Sequence, residues 1–154
     1  MTAILDNRVP PPLVCLACGV GMYFTARAAG ESTLVFASQY GLGLAWLCLS
    51  LILIVMSIRQ FKQHQTTVNP LRPSQASQLV ISGIFCVTRN PMYLSLTTIL
   101  IGLMFFLGSW LGLLWLAVFV LYIQCFQIYP EERAMQLLFG EAYRDYCSRV
   151  RRWL

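Results

Sequence analysis

Four apolar stretches dominate the chain: Leu13–Ala29, Tyr40–Ile58, Pro91–Trp110 and Leu111–Tyr129. Each approaches the roughly 20 residues that a helix needs to cross a bilayer. In lipid, every backbone polar group must find its partner within the segment or in a closed barrel, so continuous apolar runs of this length become helices. The sequence therefore predicts an all-α polytopic membrane protein with four transmembrane helices, organised as a single domain over its 154 residues. Composition agrees: charged residues make up only 11% of the chain, against about 25% in an ordinary soluble domain. The first stretch has the length of a signal peptide. Asp6 in its charged flank and the Ala26-Arg27-Ala28 exit fit a retained span better.

Charge placement predicts orientation. Arg8 precedes the first span; Arg59, Lys62, Arg72 and Arg89 lie between the second and third; Arg133, Arg144, Arg149, Arg151 and Arg152 follow the fourth. Arg27 alone falls on the opposite side. Basic residues stay in the cytoplasm, so both termini and the long middle loop are expected there, with the protein in the inner membrane if the source is bacterial. The net charge of +5 sits beside apolar spans, where anionic lipid headgroups rather than nucleic acid are the expected partner. Gly108, Ser109 and Gly112 surround Trp110 between spans three and four, which predicts a tight antiparallel hairpin with Trp110 in the interfacial aromatic belt. No Asp, Glu, Lys, Arg or His lies within Tyr40–Ile58 or Pro91–Tyr129, which argues against a transmembrane ion path. There is no internal repeat.

The helix ends carry the polar chemistry. Asn90 before Pro91 reads as a helix start, with Asn capping free amides and Pro at the first helical position. Arg89 stands just before it. A cation at the positive end of a helix dipole makes a site for a carboxylate or phosphate; the alternative is a simple headgroup anchor. Pro130 is expected to end the fourth span and open a new helix, with Glu131 and Glu132 in its first turn, where they could also accept from a diol or an ammonium group. That amphipathic C-terminal helix shows an apolar stripe of Met135, Leu138, Phe139, Ala142 and Tyr146, with a bend expected at Gly140. Arg149, Arg151, Arg152 and Trp153 read as a lipid-contacting anchor. In the middle loop, which holds Pro70 and Pro73, His64 beside Lys62 reads as a solvated residue, and the apolar run Leu79–Phe85 is expected to pack over the mouth of the bundle. Cys15 and Cys18 have metal-ligand spacing, but no second pair and no histidine stands near them, so no metal site is expected. Cys48, Cys86, Cys125 and Cys147 complete the set; most of the six lie in apolar runs, as small hydrophobes.

The segment Thr67–Tyr93, TVNPLRPSQASQLVISGIFCVTRNPMY, and the segment Pro130–Leu154, PEERAMQLLFGEAYRDYCSRVRRWL, together resemble the isoprenylcysteine carboxyl methyltransferase and phospholipid methyltransferase superfamily of integral membrane enzymes. The pattern is an arginine, a histidine or asparagine, a proline, any residue and a tyrosine, then a glutamate pair opening the last helix, followed by phenylalanine-glycine and two tyrosines. The resemblance implies S-adenosylmethionine as methyl donor. It implies a lipophilic acceptor, of the isoprenylcysteine-carboxylate or phospholipid-amine type, methylated at the cytoplasmic face. Carried over, the cofactor-binding residues are Leu79, Val80, Gly83, Arg89, Asn90, Pro91, Tyr93, Glu131, Glu132, Tyr143 and Tyr146. The catalytic candidates are Arg89, Tyr93 and Glu132: Arg89 to hold the donor's or an acceptor's carboxylate, Glu132 or Tyr93 as base toward an amine. Where the family often has histidine this chain has Asn90, which can donate a hydrogen bond but cannot titrate. Two other readings are an NADPH-dependent membrane lipid reductase of similar C-terminal architecture and a non-enzymatic membrane scaffold. No glycine-rich strand-turn-helix for a dinucleotide is visible.

Overall fold

The computed structural model describes residues 8–30, 38–64 and 78–154. Asp6, and the part of the first motif segment that holds Pro70, Arg72 and Pro73, lie outside the described residues. The order of elements is α1 (Pro11–Ala28), α2 (Gln39–Gln63), a 3₁₀ turn (Gly83–Cys86), α3 (Pro91–Leu107), α4 (Gly112–Ile123), a π-helical segment (Gln124–Ile128) and α5 (Tyr129–Arg149). No strand is found among the described residues. Two helices are long and apolar enough to cross a membrane: α2, and the continuous rod Gly112–Arg149. α3 is a shorter apolar helix of 17 residues. Only 22% of the most apolar window of α2 is buried; Leu44, Leu51 and Ile52 point outward, as do Leu16 and Phe24 on α1 and Leu114 and Leu121 on α4. Side chains of this kind covering the outside of a bundle call for lipid as the solvent.

The helices meet where side chains are smallest. α2 and α3 cross at Gly43 and Gly102; a Cβ on Gly102 would stand 3.0 Å from the Gly43 carbonyl oxygen. Such contacts drive helix association in lipid, where apolar burial gives no advantage. α1 leans on α4 through Gly21, against which the Trp115 ring lies flush, and Trp115 Nε1 donates to Thr25 Oγ1 at 3.2 Å. α4 turns back on α3 after Gly108, whose positive φ of 62° ends α3, with Gly112 packed onto Met104. Buried hydroxyls bond back within their own helices: Ser57 to Leu53, Ser95 to Met92 and Thr98 to Ser95.

Several boundaries differ from expectation for physical reasons. α1 begins at Pro11, since proline loses nothing at a helix start. α2 runs past Ile58 to Gln63, and there Ser82 Oγ donates to Gln60 Oε1 while His64 Nε2 lies 2.9 Å from the same hydroxyl. The one hydroxyl proton goes to Gln60, so His64 is the donor to Ser82; it is half-buried and engaged rather than solvated. Pro130 does not break the rod. The wide turns of Gln124–Ile128 precede it, and the π geometry accommodates the missing amide. The break falls at Gly140, where a bend was expected, with φ 51° and ψ −121° inside α5. That kink shifts the apolar face: Met135 and Phe139 pack inward, but beyond it Tyr143, Tyr146 and Val150 take over, leaving Leu138 and Ala142 exposed.

Gly140 adopts a backbone conformation that a side chain disfavours, and a Cβ there would meet no other atom within 4 Å. Gly140→Ala is therefore expected to cost about 1–3 kcal/mol from backbone strain alone, seen as a lower thermal unfolding midpoint in detergent. Gly41→Ala, in the first turn of α2 with the same open space, is expected to leave the midpoint unchanged or raise it.

Candidate functional site

The polar chemistry gathers at one end of the bundle, where the start of α3, the first turn of α5, the end of α5 and the C-terminal tail meet. The stretch before α3 is held down by apolar packing: Val80, Ile84 and Phe85 bury themselves against Leu53, Tyr143, Tyr146 and Val150, with Leu79 at the margin. Tyr146 donates to the Phe85 carbonyl at 2.7 Å. Gly83, with φ 61°, faces α2, where a Cβ would overlap the Gln60 amide. Pro91 is buried at the first position of α3.

Asn90 does not cap α3 with its side chain. Its Nδ2 donates to the Arg152 carbonyl at 2.9 Å, and its own amide donates to Thr88 Oγ1 at 3.2 Å. The hydrogen bond from Nδ2 turns the side chain toward the tail and away from the free amides of the first turn of α3. The tail is thus a wall of the site rather than a lipid anchor throughout. Arg89 N donates to the Arg151 carbonyl at 3.1 Å, Thr88 Oγ1 to the Arg152 carbonyl at 3.3 Å, and Trp153 Nε1 to Gln124 Oε1 at 3.0 Å. Arg149 and Arg151 remain exposed.

Glu132 stands between two arginines. Arg152 grips it with both arms of its guanidinium, Nε to Oε1 at 2.9 Å and Nη2 to Oε2 at 2.7 Å. Arg89 Nη2 reaches Oε1 at 3.3 Å. Arg89 Nη1 contacts Cys147 Sγ. Its Nε is buried and has no hydrogen-bond partner among the described residues. Next to this pair, Tyr93 donates its phenol proton to Glu131 Oε1. Burial pushes the Glu131 carboxyl up to about 8; the neighbouring Glu132 charge adds to this, while the Tyr93 hydrogen bond opposes it. Burial also raises Tyr143 and Tyr146 well above the ordinary phenol value, so neither supplies a phenolate near neutral pH.

The structure thus links Arg89, Glu132 and Asn90 through Arg152, and Tyr93 with the adjacent Glu131, while Leu79, Val80, Tyr143 and Tyr146 pack together beside them. Gly83 shapes the loop from the far side. Sequence reasoning missed Arg152, Thr88 and Cys147. The basic tail was visible, but nothing in its spacing signals that it turns back on Glu132. Among the described residues no group of three His, Cys, Asp or Glu could hold a metal ion.

Glu131 gives the folded protein a pH signature. Its carboxyl keeps its proton to about pH 8 in the folded protein, against an ordinary value of 4.5. Between these values the folded state binds more protons than the unfolded one, so stability falls as pH rises. This contribution is complete below 4.5 and lost through about 8. The thermal midpoint is expected to drop between pH 5 and pH 8, and Glu131→Gln is expected to flatten that slope.

The sequence model of the phospholipid methyltransferase family matches residues 38–142, from the start of α2 to the kinked part of α5, and includes Arg89, Asn90, Tyr93, Glu131 and Glu132. A protein of Haemophilus influenzae described only as an uncharacterized protein is 46% identical over 63 residues, which is 41% of this chain and the whole of that one. No solved structure matches. With its apolar helices and its polar groups gathered at one end, the chain belongs to the phospholipid methyltransferase family, a family of membrane methyltransferases.

Proposed function

We propose that the protein is an integral membrane methyltransferase that takes its methyl group from S-adenosylmethionine and delivers it to a lipophilic acceptor at the cytoplasmic face. In this reading four spans cross the bilayer and both termini are cytoplasmic, as the distribution of Lys and Arg suggests. The observation that carries the reading is Arg89. It stands at the positive end of α3, pairs with Glu132, and has a buried donor without an acceptor among the described residues. These groups fit the methionine end and ribose of the donor. Arg89 would hold the carboxylate, while Glu131 and Glu132 would accept from the ammonium or ribose hydroxyls. Leu79, Val80 and Tyr143 would exclude water. When bound, S-adenosylmethionine supplies a methyl group already activated by a sulfonium. What remains for the chain is to orient the two reactants, a contribution of roughly 7–11 kcal/mol in favourable cases.

An amine acceptor would also have to lose a proton. Arg152 already occupies both oxygens of Glu132, whereas Glu131 has one oxygen outside its bond to Tyr93. A carboxyl with a pKa of about 8 also lies near the pH at which proton transfer is efficient. The base role therefore falls to Glu131 rather than Glu132, with Tyr93 fixing its orientation. For an amine acceptor, Glu131→Gln is expected to lower turnover by roughly 10²-fold.

The reaction class is tested by calorimetry on detergent-purified protein. Saturable binding of S-adenosylmethionine is expected, weakened at least about tenfold by Arg89→Ala, the loss of one buried charged contact. Arg89→Lys, which keeps the charge without the planar fork, should fall between. Binding of NADPH in place of the methyl donor would overturn the reading in favour of a reductase.

A further inference from the structure

Glu132 has two suitors, and the geometry shares it unequally. Arg152 takes both carboxylate oxygens in a fork-to-fork arrangement, at 2.9 and 2.7 Å, while Arg89 touches one of them at 3.3 Å. Paired hydrogen bonds of the Arg152 kind are the strongest an arginine makes with a carboxylate. Arg152 is also held from behind. Its carbonyl receives Thr88 Oγ1 and Asn90 Nδ2, the Arg151 carbonyl receives the Arg89 amide, and the Arg152 guanidinium lies 5.1 Å from the Tyr129 ring centroid. Together these contacts fix Arg152 where it engages both oxygens of Glu132.

We propose that Arg152 is a positioning residue: by engaging Glu132 it keeps that carboxylate from pairing fully with Arg89, and so leaves Arg89 open to one oxyanion of a ligand. Two further observations support this. Arg89 is 12% exposed, yet its Nε has no acceptor among the described residues. A buried donor left this way in a native protein costs free energy, and the oxygen of an anionic ligand would supply what is missing. The charge count also leaves room for one anion. Arg89 and Arg152 carry two positive charges, and Glu132 answers one of them. Glu131 stays largely protonated below about pH 8. The inference rests on the methyltransferase reading for the identity of the ligand but not for its charge. The oxyanion is either the carboxylate of the methyl donor or the phosphodiester of a lipid headgroup.

The test is a double-mutant cycle on full-length protein with Arg152→Gln, Arg89→Gln and the pair combined. Two binding arms are read: S-adenosylmethionine against its decarboxylated analogue, and a fluorescent phospholipid in micelles against the matching diacylglycerol. In one arm Arg152→Gln is expected to weaken the ligand that carries the oxyanion about tenfold while leaving the counterpart that lacks it within about twofold, and to add less than about twofold in the Arg89→Gln background. The arm that responds identifies the source of the oxyanion. Arg152→Lys keeps the charge but not the fork and is expected to recover part of the affinity, which guards against a variant that folds poorly. Equal costs of Arg152→Gln with and without Arg89, or unchanged affinity in both arms, would overturn the proposal. A wild-type protein that binds no S-adenosylmethionine but shows the non-additive response with phospholipid would sink the proposed methyl donor while leaving the role of Arg152 standing.

Discussion

The Glu132 carboxylate ties together three parts of the chain far apart in sequence: Arg89 before α3, Glu132 itself in the first turn of α5, and Arg152 in the tail. A partly buried carboxylate is tolerable when it is paired and hydrogen-bonded, and here two guanidiniums compete to pair it. Around this contact two carbonyls of the tail accept from residues 88–90, and Trp153 donates to Gln124 at the end of α4. Loss of the carboxylate would leave two cations facing each other and release the tail from the start of α3. The arrangement of the site therefore depends on this one group more than on any single apolar contact.

The body of the bundle follows a different physics. Its outside is apolar and its crossings rely on glycine, because in lipid there is no advantage in burying a leucine against another leucine. Buried Ser57, Ser95 and Thr98 satisfy themselves on carbonyls of their own helices, which keeps polar groups from forming a path across the bundle. Polar interactions between elements are concentrated where the chain turns over α3 and α5. The π-helical segment Gln124–Ile128 belongs to this division. It carries the rod through Pro130 without a break, so Glu131 and Glu132 ride on a rigid helix and not on a flexible joint.

Much of the fold was legible as hydropathy, since a run of apolar residues long enough for a bilayer has few alternatives to a helix. Arg89, the Asn90-Pro91 step and the glutamate pair were legible as chemistry at helix ends. The errors at the site were about partners. Asn90 was expected to cap its own helix, but the Arg152 carbonyl, distant in sequence, takes its amide. Leu138 and Ala142 were grouped in one apolar stripe with Met135, Phe139 and Tyr146, but both are exposed, and beyond the kink at Gly140 the period of 3.6 no longer carries the stripe on. Arg152 was read as a headgroup contact because a basic tail looks the same whether it faces lipid or folds back on a carboxylate.

The sequence by itself determined that the chain is helical and apolar, where its charges cluster, and which residue types crowd the starts of α3 and α5. These follow from local rules, the lipid-driven pairing of backbone groups and the electrostatics of helix ends, which act over a few residues. Only the tertiary structure decided that Tyr93 serves Glu131, that Arg152 rather than Arg89 holds both oxygens of Glu132, and that an Arg89 nitrogen has no acceptor among the described residues. Which donor meets which acceptor depends on distances of a few tenths of an ångström between elements far apart in sequence, and those distances are set by how glycine crossings, a π turn and a kink bring the elements together.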